Sequence, residues 1–259
     1  MNRPHLIFRS SITFLFSTCA LVGCGGSKVL KEPQPLVFGQ PIATAADQRL
    51  YVTLDWVIVR DGGGTWAKNA YWDEYLLRIR NQSDQTINLK ELIVVDSLNT
   101  RIEAQRGRKQ LVDGSKRTTR RYKQSGTKVT AGTGRGTVGV AAATVAGAGV
   151  GAAMGAGTLA GASGGAIVVG AAVFAPVLAI GGIARGVNHS AVNTMIEQRQ
   201  TSLPLDLFAG DELMLDVFFP IAPSPGTVEL TYSDSTGEYI IVINTSAALN
   251  GLHIEASAQ

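Results

Sequence analysis

Two short motifs in the sequence could carry catalytic or cofactor chemistry. Residues 134–139 match the G-x-G-x-x-G pattern, and residues 161–165 match G-x-S-x-G. The first pattern needs a preceding buried strand and the second needs a strand-to-helix turn with a positioned histidine and acid, and neither context surrounds them. His189 and His253 lie away from any cysteine or spaced carboxylates, so no metal site is expected. We therefore predict no enzyme activity, no metal and no cofactor.

The thiol of Cys24 indicates a different chemistry. Residues 12–22 form an apolar run that follows Arg3 and Arg9 and is too short to span a bilayer. The run ends in Leu21-Val22-Gly23-Cys24, which resembles the lipobox of bacterial lipoproteins. The resemblance implies export, cleavage before Cys24, a diacylglycerol on its thiol and an acylated amino group. An ordinary secretory signal with a chance cysteine is the alternative.

The resemblance also implies a location. Gly25 stands where the family's inner-membrane retention signal would be an aspartate, so it favours the outer membrane of a Gram-negative envelope, with the globular part in the periplasm. Removal of the first 23 of the 259 residues leaves 236, enough for one large domain or two small ones. Because Cys19 lies in the discarded signal and Cys24 would be acylated, no disulfide is expected.

Residues 136–184 carry no charge over 49 consecutive positions and consist largely of Gly, Ala and Val. A single helix of this length would measure about 73 Å, more than twice the roughly 30 Å of the hydrocarbon layer, whereas one fold gives two spans of suitable length. Glycines recur at every fourth position in two runs, which resembles a glycine zipper: Gly147, Gly151 and Gly155, then Gly157, Gly161 and Gly165. We predict a hairpin over 136–187 that embeds in a membrane or self-associates; a hairpin buried in a soluble assembly and a linker are the alternatives.

Basic residues concentrate just before this segment. Between Arg101 and Arg135 the local charge balance is +9, against +3 for the whole chain. We interpret this stretch as a basic neck whose cations face lipid phosphates: Arg117, Arg120, Arg121, Lys123, Lys128 and Arg135. A solvated, partly disordered loop is the alternative. No nucleic-acid partner is expected, because only Tyr122 offers a stacking surface there.

The flanking segments show the alternation and turn signals of short antiparallel strands. Strands are predicted over 50–59, 75–80, 87–95, 212–219, 228–232 and 239–243, and a short helix over 190–200. Because neither half has enough strands to close a sandwich, we predict a mainly β fold: one antiparallel, Ig-like β-sandwich interrupted by the glycine-zipper hairpin. The expected segments are 1–23 signal peptide, 24–48 acylated linker, 49–100 first half of the sandwich, 101–135 basic neck, 136–187 hairpin, and 188–259 short helix and second half.

These patterns predict a non-enzymatic outer-membrane lipoprotein whose hairpin embeds in the membrane, drives homo-oligomeric assembly of an envelope complex, or both. The architecture loosely resembles the surface-exclusion lipoprotein of conjugative plasmids, in which an inserted hairpin helps a ring of subunits to sit in the outer membrane. An alternative function is a monomeric binding module that captures a glycan, lipid or protein through an aromatic loop formed by Trp56, Trp66, Tyr71 and Trp72.

Overall fold

A computed structural model describes residues 26–33, 35–36, 40–132 and 189–255. These ranges contain eleven strands and two helices. The strands are β1 (Lys28–Val29), β2 (Ala43–Ala46), β3 (Leu50–Ile58), β4 (Ala67–Lys68), β5 (Asp73–Asn81), β6 (Ile87–Val95), β7 (Arg101–Glu103), β8 (Leu205–Leu207), β9 (Glu212–Phe219), β10 (Thr227–Ser233) and β11 (Glu238–Asn244). The helices are α1 (Arg108–Gln124) and α2 (His189–Arg199).

Most strands belong to two antiparallel sheets. The first sheet has the order β2-β3-β5-β9, and the second has the order β11-β10-β6-β7, with β8 pairing the other end of β6. Strands from either side of residues 133–188 therefore pair directly: β9 with β5, and both β8 and β10 with β6. The two sides of the chain form one sandwich-like unit.

A single apolar core lies between the two sheets. Leu54, Leu77 and Leu215 from the first sheet are fully buried with Leu230 and Ile243 from the second. The alternation that predicted the strands also selects these side chains, since successive residues of a strand point to opposite faces. At the end of this core, the rings of Tyr75 and Phe219 meet edge to face, with centroids 5.1 Å apart, a favoured aromatic geometry.

The six predicted strands and the predicted short helix are confirmed, the helix as α2. The predicted boundaries of other segments were wrong. The segment predicted as a linker over 24–48 contains β1, which pairs with β4, and β2, which pairs with β3. The predicted hairpin over 136–187 lies outside the described residues.

The basic segment is not a projecting neck over the part that is described. Residues 101–103 form β7 on the edge of β6. Residues 108–124 form the 17-residue helix α1, which packs on the sandwich. One face of α1 is buried through Leu111, Gly114, Ser115, Thr118 and Tyr122. Since small and polar residues occupy most of these positions, the apolar periodicity that announces an amphipathic helix is weak here.

Close packing explains the small residues of α1. A Cβ on Gly114 would lie 2.5 Å from Cγ of Pro220, so no larger residue fits without moving the helix. The Ser115 hydroxyl lies 2.6 Å from the Tyr71 carbonyl and accepts the Ile221 N–H at 2.9 Å. These bonds satisfy a buried polar group and fix α1 against the loop before β5 and the turn after β9. Neither helix among the described residues is long and apolar enough to cross a membrane.

Candidate functional site

Several close contacts fix the position of the chain just before the glycine-rich segment. Gly132 is the last described residue before that segment, and its N–H donates to Nδ1 of His253 at 3.1 Å. A Cβ on Gly132 would lie 2.2 Å from the Arg60 carbonyl oxygen, and its φ of +74° is in the left-handed region. Only glycine combines this backbone conformation with such a close approach. The chain is therefore anchored at this position.

His253 connects this anchor to the first sheet. Its side chain is fully buried, and Nε2 lies 2.8 Å from Oδ2 of Asp73 at the start of β5. Because Nδ1 accepts a hydrogen bond from Gly132, the ring proton lies on Nε2 and is donated to the carboxyl group. The His253 carbonyl also accepts the Thr130 N–H at 3.0 Å. The pair resembles a catalytic dyad in composition, but both ring nitrogens are engaged in structural bonds.

Helix α1 presents a cationic surface opposite its buried face. At 100° per residue, Lys109, Lys116, Arg120 and Lys123 fall within about 60° of one another around the helix axis, with Arg117 at the border of this group. All five are exposed. We call this set of five residues the basic face. It extends for about 21 Å along the helix at 1.5 Å per residue.

The structure separates the six cations that were predicted to lie at a membrane. Arg117, Arg120 and Lys123 belong to the basic face. Arg121 instead lies 2.5 Å from Oδ2 of the buried Asp96, and Lys128 lies 2.7 Å from Oε2 of Glu255. Arg135 lies outside the described residues. Lys109 and Lys116 lie in the same basic stretch but were not predicted to face lipid phosphates. They share a helical face with Arg120, and this is apparent only once α1 is known.

The N-terminal end of α1 lies beside the first described residues. Nε of Arg108 donates to Oγ of Ser27 at 2.5 Å, and the Arg108 N–H donates to Oδ1 of Asn193 in α2 at 3.2 Å. Partial burial lowers the pKa of Arg108. Cys24, the predicted acylation site, precedes Ser27 by three residues in the sequence. Cys24 itself, like the six zipper glycines, lies outside the described residues.

The predicted aromatic ligand loop was wrong as a surface feature. Trp56, Trp66 and Trp72 are between 3% and 8% exposed. Trp66 and Trp72 pack with Phe218 beneath the two helices, and a cavity beside them has room for about one water molecule. Tyr71 is half-buried, and its hydroxyl lies 2.7 Å from the Thr119 hydroxyl of α1. Trp66, Trp72 and Tyr71 therefore hold the helices on the sheet, whereas Trp56 packs with Ile58 and Leu76.

A buried charged cluster joins α2 to the first sheet. Nε of Arg199 donates to Oε1 of Glu74 at 2.8 Å, and Nε1 of Trp66 donates to Oε2 of the same carboxylate at 2.6 Å. Nη2 of Arg199 also lies 3.5 Å from Oδ2 of Asp216. Burial and the nearby Glu74 carboxylate raise the pKa of Asp216 well above its usual range. The cluster has little access to solvent, since Glu74 is 1% exposed.

No group of three or more His, Cys, Asp or Glu side chains in the described ranges is arranged to hold a metal ion. The described part of the molecule is thus an antiparallel, sandwich-like unit with two surface helices, one of which carries the basic face. No protein-family model, curated protein or solved structure matches the chain.

Proposed function

We propose that this chain is a non-enzymatic lipoprotein of the Gram-negative outer membrane. In this proposal the sandwich, Ig-like in class, is a rigid periplasmic base, and Cys24 carries the acyl anchor. The glycine-zipper segment over 136–187 forms a hairpin that embeds in the membrane, drives homo-oligomeric assembly of an envelope complex, or both. The partners in this proposal are the membrane and further copies of the chain, and no protein or glycan partner is assigned.

One observation carries this proposal: the strands before and after residues 133–188 pair within the same two sheets. A segment flanked in this way is an insertion into one folded unit, so it is displayed from a fixed base. The anchoring of Gly132 by His253 and Arg60 supports the same reading at one end of the insertion. Glycines spaced by four residues allow close helix–helix approach without an apolar driving force in lipid.

The test compares two substitutions in the glycine-rich segment of the full chain. Gly151→Leu places a large side chain on the predicted zipper face, so it should reduce self-association by separating the packed backbones. Val145→Leu, about 120° away around a helix, is the matched control and should change little. Oligomer mass is measured by mass photometry in detergent, with chemical cross-linking in membranes.

Equal effects of the two substitutions, or a wild-type chain that is monomeric and leaves membranes when Cys24 is not acylated, would contradict the assembly role. The anchor is tested separately by intact-mass spectrometry of the mature protein. Cys24→Ala should abolish acylation and processing before residue 24. An unmodified N-terminus at Cys24 in the wild type would remove the basis for the outer-membrane location.

A further inference from the structure

The basic face of α1 carries charge that the described structure does not neutralise. Lys109, Arg117, Arg120 and Lys123 form no ion pair with any described residue, and Lys116 lies 3.8 Å from Oδ1 of Asp113 at an exposed position. Lys116 and Arg120 are four residues apart on the helix, a spacing at which like charges repel. Repulsion between these cations therefore lowers the stability of the folded protein when no partner is bound.

Helix stability explains only Lys123 among these cations, because it lies in the last turn of α1, where the helix dipole favours positive charge. The first turn of α1 contains no acidic residue and begins with Arg108 and Lys109, although the positive end of the helix dipole disfavours cations there. The N-cap, Gly107, contributes no side-chain hydrogen bond. The buried residues that hold the helix on the sandwich lie on its other side, among them Leu111 and Tyr122. The basic residues are therefore available to bind a partner.

The position of α1 relates the basic face to both predicted membrane attachments. Near its N-terminal end, Arg108 bonds Ser27, three residues after the predicted acylation site. Near its C-terminal end, Tyr122 packs with Val129 and Ala131, which precede in the sequence the start of the uncharged segment at residue 136. The exposed cations lie between these two points along the helix.

We propose that the basic face of α1 docks on the phosphate groups of anionic phospholipid at the membrane surface. The nearness of the membrane rests on the proposed function, whereas the choice of partner rests on the charge and shape of the face. A row of exposed cations about 21 Å long suits a plane of phosphates. Contact with this plane relieves the repulsion within the face and holds the sandwich close to the bilayer.

The test uses the mature chain, residues 24–259, with Cys24→Ala so that no acyl chain masks a weaker contact. Binding is measured by co-sedimentation with vesicles of phosphatidylcholine alone and of phosphatidylcholine mixed equally with phosphatidylglycerol, at low and high salt. The chain should bind the anionic vesicles more tightly, and the difference should shrink as salt shortens the Debye length. Lys116→Gln with Arg120→Gln should weaken anionic binding roughly thirtyfold, at about fivefold for each cation.

The matched control is Arg80→Gln with Lys90→Gln, which removes the same charge from the two sheets. It should retain most of the anionic binding, and both double variants should keep the circular dichroism of the parent chain. Equal losses in the two variants would show that net charge alone acts and would overturn the proposal. Binding to soluble polyphosphate without binding to anionic vesicles would also overturn it.

The two proposals fail in different ways in this experiment. If the parent chain does not bind neutral vesicles but binds anionic vesicles through the basic face, the embedding of the glycine-rich segment fails and the docking surface stands. If it binds both kinds of vesicle equally and independently of salt, the docking surface fails and the embedding stands.

Discussion

Gly132 shows how one position can link distant parts of the chain. It contacts Arg60, which follows β3, and His253, which follows the last strand. His253 in turn bonds Asp73 at the start of β5. A few buried polar groups therefore fix the place where the glycine-rich segment leaves the sandwich, and the strength of this anchor depends on close backbone approach.

A prediction at this scale compares Gly132 with Gly126. Both have positive φ angles, of +74° and +81°, but a Cβ on Gly126 would meet nothing within 4 Å. Replacement of either glycine by alanine should lower the free energy of unfolding by about 1 kcal/mol through backbone strain. Gly132→Ala should lose about 1–3 kcal/mol more, because its Cβ overlaps the Arg60 carbonyl. Urea denaturation followed by circular dichroism measures both; equal losses would show that the anchor yields easily.

At the scale of elements, α2 is joined to the sheet through a carboxylate-rich interface. Arg199 at the end of α2 faces Glu74 of β5 and Asp216 of β9. Trp66 completes the cluster by bonding Glu74. One cation beside a buried and a half-buried carboxyl group favours protonation of one of them, and Asp216 is the group whose pKa is raised.

This interface predicts a pH dependence of stability. Because the pKa of Asp216 is higher in the folded than in the unfolded state, the folded state binds more protons between these two values. The free energy of unfolding should therefore fall as pH rises through this window, by about 1.4 kcal/mol per unit of difference. Asp216→Asn should remove this decline and be more stable than the wild type at neutral pH. Asp211→Asn, at an exposed position just before β9, is the control; identical pH profiles for Asp216→Asn and the wild type would contradict the prediction.

At the scale of the whole molecule, the sandwich depends on strands from both sides of the glycine-rich segment. Strand β5 lies between β3 and β9, and β6 lies between β10 and the pair β7 and β8. Loss of the C-terminal strands would expose the edges of both sheets and open the core. All the strands of the described sheets lie outside residues 133–188.

Replacement of residues 134–187 by a Gly/Ser linker of about 20 residues should therefore leave a cooperatively folding domain. Such a linker spans roughly 25 Å on average, and each halving of loop length changes the closure free energy by only about 0.6 kcal/mol. The fragment 26–132 alone should not unfold cooperatively, because β5 lacks β9 and β6 lacks β8 and β10. Thermal unfolding followed by circular dichroism compares the two; a cooperative transition in the fragment would show that the first half is an independent domain.

The candidate site was only partly predictable from the sequence. The charge of the basic stretch was evident, but its arrangement as one face of α1 was not, since Gly114, Ser115 and Thr118 occupy buried positions where a predicted helix would show apolar residues. The tryptophans were misread as a ligand loop because a cluster of aromatics near glycines looks the same whether it is exposed or covered by helices. The partnership of Gly132, His253 and Asp73 has no signature in sequence at all, because the three residues are separated by long stretches of chain.

The sequence by itself determined the mainly β character, the six longer strands and α2, because alternation and helical spacing are local consequences of which face of an element is buried. The short strands β1, β2, β4, β7 and β8 were decided only by the tertiary structure, since two to four residues adopt a strand conformation when a longer neighbour offers its hydrogen bonds. The helix α1 was likewise decided by packing: its buried face is complementary to Pro220 and Tyr71 rather than apolar in itself. Local patterns report the burial of side chains, whereas the choice of partner is a property of the assembled fold.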